Sequence, residues 1–312
     1  MNAITTRSLT HRFGKSTVLD NLNLKVPAGS IYGLVGPNGA GKTTTLRLLA
    51  GLIEPSYGEI RINELRLSQF RQEAQRQIGY MPDFFGVYDD LLVWEYLDFF
   101  ARCYKLSPQQ RQRVTHELLE LVDLVEKRYD PIQTLSRGMR QRLCLAHALV
   151  HDPKILLLDE PASGLDPRAR VEMRALLLEL RHMGKTLLVS SHILGELGEM
   201  CDGLAILDCG RLVACGPLNE IRQNVNPLRC LEIRFLSDIS QITKLLKQHQ
   251  QVNEILSDRQ TDRLEIRFSG GDDSLADLIE MLVQRNVRLI SVREIENGIE
   301  ETFLTMTRGE SL

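Results

Sequence analysis

No apolar run in the sequence approaches the ~20 residues needed to cross a bilayer. The first residues, Met1 to Arg7, have no apolar core of the kind a secretory leader carries. The expectation is a chain that is neither secreted nor membrane-spanning. A surplus of either charge is also missing: 38 Lys and Arg face 41 Asp and Glu, for a net charge of −3. Bulk charge therefore gives no reason to expect a nucleic-acid partner. The six cysteines, at 103, 144, 201, 209, 215 and 230, include no C-x-x-C pair. They lie in segments that otherwise read as core, which points to reduced thiols rather than to disulfides or a zinc site. What remains is an ordinary globular composition, 43% apolar and 25% charged over 312 residues, long enough for two domains.

Within it one stretch stands out, Gly36-Pro37-Asn38-Gly39-Ala40-Gly41-Lys42-Thr43-Thr44. An apolar run, Ile31 to Val35, precedes it and reads as a buried strand; Thr45 to Ala50 follows and reads as a helix. Strand, glycine-rich turn and helix start together form a phosphate-binding loop. Its backbone amides converge on one concavity that faces the positive end of the helix dipole. Glycines let the main chain approach phosphate oxygens closely. In such a loop Lys42 reaches the β- and γ-phosphates and the Thr43 hydroxyl is a ligand for Mg²⁺.

The rest of the chain reads in order. Period-two apolar positions at Ser8–Phe13 and Asn21–Val26, with turns at Gly14 and Pro27, suggest a small antiparallel sheet beside the loop. Phe13, at its end, is either a core residue of that sheet or a ring available to a nucleotide base. The segment Phe84–Tyr88 is apolar, contains glycine, and fits neither helix nor strand; it is either tucked under a neighbour or a contact surface. Helices are expected from Leu91 to Tyr104 and, opened by Ser107-Pro108-Gln109-Gln110, onward to about Lys127. Residues 83–140 thus read as a helical insertion in an α/β domain. Ser136 caps a helix that runs to about Val150, and Gly138 leaves amides exposed in its first turn.

Lys154–Leu158 is a continuous apolar run that ends in Asp159 and Glu160, as a central parallel strand would. Ligands in open α/β sheets bind beyond the carboxyl ends of such strands, which puts both acids beside the phosphate loop. Asp166 caps a helix from Pro167 to about Met183, stopped by Gly184. Lys185–Ser191 is the next buried strand, ending in His192, which on its own is equally a hydrogen-bonding strand end or a catalytic group. Residues 203–216 form a hairpin. A boundary is expected at Asn224–Pro227, giving domains 1–223 and 228–312. Beyond it, a β-α-β-β-α-β order suggests a ferredoxin-like domain with no catalytic constellation.

Taken together, the loop at 36–44, Leu135-Ser136-Arg137-Gly138-Met139, the Ile155–Glu160 strand, Ser163-Gly164-Leu165-Asp166 and His192 resemble an ATP-binding-cassette (ABC) ATPase. They match its Walker A, signature, Walker B, D-loop and H-loop, in that order, over about residues 4–222. The form Leu-Ser-Arg-Gly-Met, the stretch Gly79–Phe100 and the end Ile299–Leu304 look most like ATPase subunits of ABC-2-type exporters. The resemblance implies a P-loop α/β fold with a parallel core sheet, an antiparallel β subdomain and a helical subdomain. It implies ATP and Mg²⁺ as ligands. Phe13 would stack on adenine; Gly36, Pro37, Asn38, Gly39, Ala40, Gly41, Lys42, Thr43 and Thr44 would hold the phosphates. Thr43, Asp83 and Asp159 would serve the metal, Glu160 would be the general base, and His192 would contact the γ-phosphate. Ser136 and Gly138 would close on ATP held by a second copy, with Asp166 along the seam.

Two positions depart from the family pattern. Asp83 follows Pro82 where glutamine is usual, and Arg137 and Met139 replace glycine and glutamine of the usual signature. The resemblance further implies a homodimer bound to a separate transmembrane permease, on the cytoplasmic face of a membrane. Phe84–Tyr88 and the helix around Trp94 are the expected docking surface. A cassette protein acting on ribosomes or DNA typically carries two cassettes or a long coiled coil, and this sequence has neither. A phosphate-loop kinase is the third reading; it would need an acceptor site and would transfer phosphate rather than release it to water.

Overall fold

Ile31–Val35 is buried along its whole length, as its unbroken apolar run requires of a strand covered on both faces. In the computed structural model it is the fourth strand of the chain; the residues described are 1–83, 90–225, 228–236, 238–256 and 263–295. They fall into two units, Met1–Leu218 and Asn219–Leu312.

The first unit is mixed α/β. An antiparallel sheet contains β1 (Asn2–Phe13), β2 (Ser16–Leu22), β3 (Lys25–Pro27), β5 (Tyr57–Ile62) and β6 (Leu65–Arg66), with β1 pairing β2, β3 and β5. The six-stranded core sheet is built from β4 (Ile31–Val35), β7 (Ile78–Met81), β8 (Ile155–Leu158), β9 (Thr186–Ser191), β10 (Gly203–Asp208) and β11 (Arg211–Pro217). Its order is β11-β10-β4-β9-β8-β7. All neighbours are parallel except the β10–β11 hairpin. Every residue of β8 and β9 is buried, as in β4. Helix α1 (Lys42–Leu49) follows β4, and a five-residue α2 (Arg71–Gln75) precedes β7.

The helical insertion contains α3 (Val93–Cys103), α4 (Pro108–Leu121) and the start of α5 (Arg137–Leu149). Ser107 and Gln110 form the reciprocal capping box their spacing predicts, with Gln110 Oε1 2.9 Å from the Ser107 amide. Asp98 accepts from Arg102 and from Arg111, each at 2.7 Å, and so ties α3 to α4. The helix expected to reach Lys127 ends at Leu121 instead. Asp123 takes φ 52°, which breaks the run before a short 3-10 turn at Val125–Lys127. Helix α6 (Pro167–His182) joins β8 to β9, and the five-residue α7 (Leu194–Gly198) joins β9 to β10.

The second unit begins within α8 (Leu218–Val225), whose first residue closes the first unit. Strands β12 (Arg229–Phe235), β13 (Val252–Leu256), β14 (Arg263–Phe268) and β15 (Leu289–Ile295) form one antiparallel sheet. The order is β13-β14-β12-β15, the arrangement a β-α-β-β-α-β chain adopts in a ferredoxin-like fold. Alternate residues Leu231, Ile233, Phe235, Leu264, Ile266 and Phe268 face α9 (Ile239–Leu246) and α10 (Asp272–Gln284) in its core.

Two histidines near the end of α5 pack on aromatic rings of α3 and its cap. His147 lies 3.8 Å from the Phe100 ring centre, and His151 stacks on Tyr104 at 4.1 Å. Burial, reinforced by the neighbouring His151, holds the His147 imidazole down at about 4. An imidazole near 6.5 when unfolded then binds its proton more readily in the unfolded chain. The neutral ring's stabilisation is complete above about pH 6.5 and falls away toward pH 4. We expect a loss of about 2 kcal/mol at pH 5 from this group. Thermal midpoints of wild type and His147→Leu at pH 7 and pH 5 check it: the variant should lose less on acidification, and an equal loss would contradict the assignment.

Candidate functional site

The glycine-rich loop starts where β4 ends. An added Cβ at Gly36 would collide with the Leu207 carbonyl oxygen, and Gly41, at φ 105°, sits 2.6 Å from the Leu19 side chain by the same measure. Both glycines therefore serve close backbone approach. The Ala40 amide donates to the Pro37 carbonyl at 3.1 Å, and the Ala40 carbonyl accepts from the Gly210 amide at 3.1 Å. The β10–β11 hairpin tip thus braces the loop from outside. Helix α1 begins at Lys42, three residues before the helical pattern of the sequence, and no side chain caps it. Its first amides are left for a ligand. Lys42 is buried, and its ammonium donates to the carbonyls of Gly36 at 2.7 Å and Pro37 at 3.3 Å.

The two acids arrive from β8. The register aligns Leu158 with Val189, and Val35 with Ser191, so β4, β9 and β8 end close together. Asp159 is fully buried, and its Oδ1 accepts from the Ser190 hydroxyl at 2.7 Å. Its Oδ2 is buried with no hydrogen-bond partner. Burial raises the Asp159 pKa; Ser190 and Thr43 pull it down, while the negative charges of Asp83 and Glu160 push it further up. Glu160 adopts φ 50°, a left-handed conformation that costs a side-chain-bearing residue about 1–2 kcal/mol. Its amide donates to the Ser190 hydroxyl oxygen at 2.9 Å. Its carboxylate lies 3.5 Å from the Lys42 ammonium and 2.8 Å from His192 Nδ1, which must carry the proton to reach it. Lys42, Asp159, Glu160 and His192 are therefore one connected group. Thr43 stands beside it at the start of α1, and exposed Asp83 follows β7 near enough to act on Asp159.

An orphaned carboxylate oxygen beside a threonine hydroxyl suits a hard, oxygen-seeking cation such as Mg²⁺. Among the described residues no cluster of three or more His, Cys, Asp or Glu would hold a metal unaided. A cation here must complete its shell with water and with oxygens of a bound phosphate, the habit of Mg²⁺.

Ser136, Gly138 and Asp166 are brought together elsewhere. They line a cleft of about 230 Å³ with Gly164, Arg168 and Glu172. Ser136 caps α5 by accepting from the Met139 amide at 3.3 Å, and Asp166 caps α6 by accepting from Ala169 at 2.9 Å. Gly164 stands at φ 65°, a conformation that side-chain-bearing residues rarely adopt, with the Arg137 guanidinium over it. Among the described residues no hydrogen bond or ion pair joins Ser136, Gly138 or Asp166 to the 36–44 loop. Phe13 is no core residue: it is 55% exposed at the end of β1, edge-on to His11. The docking segment Phe84–Tyr88 and the end at Ile299–Leu304 lie outside the described residues.

Sequence reasoning missed Ser190, which touches both acids. The available signal was a polar residue directly after the apolar run Leu187, Leu188 and Val189. It also missed the hairpin tip at Gly210, whose role depends on distant chain segments meeting.

Residues 19–163 match a family model described as ABC transporter. An uncharacterized ABC transporter ATP-binding protein of Bacillus subtilis, YhcH, is 34% identical over 306 residues, covering 98% of this chain and 95% of the relative. The chain belongs to the ATP-binding subunits of ABC transporters. A Nod factor export ATP-binding protein of Cupriavidus metallidurans is 39% identical over 69% of this chain and 71% of its own. The linearmycin resistance ATP-binding protein LnrL of Bacillus subtilis is 27% identical over 95% of each. A solved ATP-binding subunit of an ABC transporter is 32% identical, with TM-score 0.65, over 71% of this chain and 92% of that one. The ABC subunit is accordingly an ATPase with the P-loop fold of its family, which works with transmembrane components.

The buried ammonium of Lys42 bonds the loop carbonyls and lies beside Glu160. Replacing Lys42 with Ala should weaken ATP affinity at least about tenfold, the scale of a lost hydrogen bond to a charged group. Fluorescence titration with a labelled ATP analogue measures it, and an unchanged affinity would contradict the phosphate-loop geometry.

Proposed function

We propose that this ABC subunit is the motor of an ABC-2-type exporter, two copies of which clasp two ATP molecules between them, head to tail. The observation that carries the reading is the separation of two half-sites on one chain. The loop, the acids and His192 form one group; Ser136, Gly138 and Asp166 form another, and among the described residues no hydrogen bond or ion pair joins these three to the 36–44 loop. A two-fold pairing would set each group of one copy against the other group of its partner. The name of one relative, a Nod factor export ATP-binding protein, supports the direction of transport.

In this reading the adenine stacks on exposed Phe13, and the amides of 36–44 with Lys42 take the phosphates. Thr43 and Asp159 would hold Mg²⁺, with Asp83 near enough to assist; the ion, when bound, would supply charge neutralisation to the phosphates. Glu160 accepts the proton of the attacking water as the oxygen bonds to the γ-phosphorus and the bridge to ADP breaks. His192, donating to Glu160 through Nδ1, orients that carboxylate and leaves its other ring face toward the γ-phosphate. Lys42 balances the negative charge that spreads over the phosphoryl oxygens. The partner's serine cap and α5 amides close the far side.

The transmembrane partner docks on the helical insertion. Trp94 sits on α3 near its start, and the same helix ends at a cleft of about 450 Å³ lined by Leu52, Arg76, Tyr104 and Lys105. Aromatic rings with two cations suit an amphipathic segment that carries an acid. Among the described residues no helix is long and apolar enough to cross a membrane, and attachment through this cleft would hold the subunit at the cytoplasmic face.

Glu160→Gln keeps the side chain's shape and removes its basicity. Hydrolysis should slow at least about a hundredfold, the usual reach of general-base help, with ATP binding retained. Phosphate release under saturating ATP tests this; near-normal turnover would remove Glu160 from its role.

A further inference from the structure

We propose that Ser190 is the positioning residue that turns Asp159 and Glu160 into a working pair: it occupies one carboxylate oxygen of Asp159 and leaves the other for the cation. The inference rests on the roles proposed above for those two acids.

Ser190 has no solvent exposure and sits near the end of a strand buried throughout. A hydroxyl in such surroundings must find its partners inside the protein. It has two, and they fix its direction. The Glu160 amide donates to Oγ at 2.9 Å, so the hydroxyl's own proton is free to go elsewhere. It goes to Asp159 Oδ1 at 2.7 Å, a charge-assisted bond to a carboxylate. Oδ1 is thereby engaged by β9, and Oδ2 is the oxygen left buried and unpartnered. Thr43, the other oxygen ligand of the proposed cation, also acts on this carboxylate. The Ser190 hydroxyl therefore holds one oxygen of the Asp159 carboxylate and constrains its rotation.

The same hydroxyl holds the Glu160 backbone where the chain is least comfortable. Glu160 stands at φ 50°, and its amide has Ser190 as its acceptor. The neighbouring serine does something different. Ser191 Oγ accepts from the Ile193 amide at 3.0 Å and closes the turn after His192. The two serines are adjacent in sequence, but only Ser190 bonds the acids.

A residue that orients a metal ligand shifts metal affinity or activity by about 10–100-fold when removed. Ser190→Ala should raise the Mg²⁺ concentration that half-saturates tight binding of a fluorescent ATP analogue by about that factor. Binding of the analogue without Mg²⁺ should stay within about twofold of wild type, because the loop amides and Lys42 are untouched. Turnover should fall about tenfold or more. Ser190→Thr and Ser190→Val differ only in the hydroxyl at nearly equal bulk, so Thr should keep a lower Mg²⁺ requirement than Val. A normal Mg²⁺ requirement in Ser190→Ala, or equal requirements in the Thr and Val variants, would overturn the proposal. Asp159→Asn separates this from the underlying reading. If Asp159→Asn raises the Mg²⁺ requirement and Ser190→Ala does not, the positioning role alone fails. If Asp159→Asn also leaves it unchanged, the cation assignment itself fails, and this inference with it.

Discussion

One edge of one sheet governs the chemistry of this chain. Strands β4, β9 and β8 run parallel and end nearly level, because Val35 pairs with Ser191 and Leu158 with Val189. Parallel strands need crossover connections, and their carboxyl ends gather the loops that follow them. The glycine-rich loop, the two acids and His192 are three such continuations. Their side chains meet because the strands that carry them are hydrogen-bonded neighbours. A shift of one residue in the β8–β9 register would turn Ser190 to the opposite face and part it from both acids.

Full burial of those strands sets the second constraint. Lys42, Asp159, Glu160 and Ser190 at the edge have little water and must find partners within the protein, while His192 is more exposed. Ser190 answers Asp159 and Glu160; Glu160 answers His192 and Lys42; Lys42 answers two carbonyls of its own loop. A triphosphate in the loop would compete for Lys42 against both the carbonyls and Glu160, so nucleotide binding and the state of the base are linked through one ammonium. The 3.5 Å separation of Lys42 and Glu160 is close enough for that charge to matter and long enough to be exchanged.

Much of this was legible in the sequence because local rules and the fold agree there. The loop's glycines stand at positions that need positive φ or allow no Cβ. Ser107, Ser136 and Asp166 cap the helices their spacing suggested. The run Ile155–Leu158 is as buried as its composition required. Legibility failed where the cause is tertiary or a single backbone angle. Periodicity carried the 108–127 helix through Asp123, whose φ of 52° ends it. Alternation left Phe13 open between the sheet core and a base-stacking ring, and its exposure at the end of the strand removes the core alternative. Ser190 was invisible because a buried serine declares its purpose only when the residues it bonds, 30 and 31 positions away, are seen beside it.

The account stands on two half-sites of one chain meeting their complements on another copy. Sedimentation of the Glu160→Gln protein with and without Mg-ATP, alone and with Ser136→Glu added, tests this most directly. The account predicts a nucleotide-dependent dimer for Glu160→Gln, and a monomer that still binds ATP once Ser136→Glu is added. A nucleotide-saturated monomer in the first case, or a dimer indifferent to Ser136→Glu in the second, would contradict it.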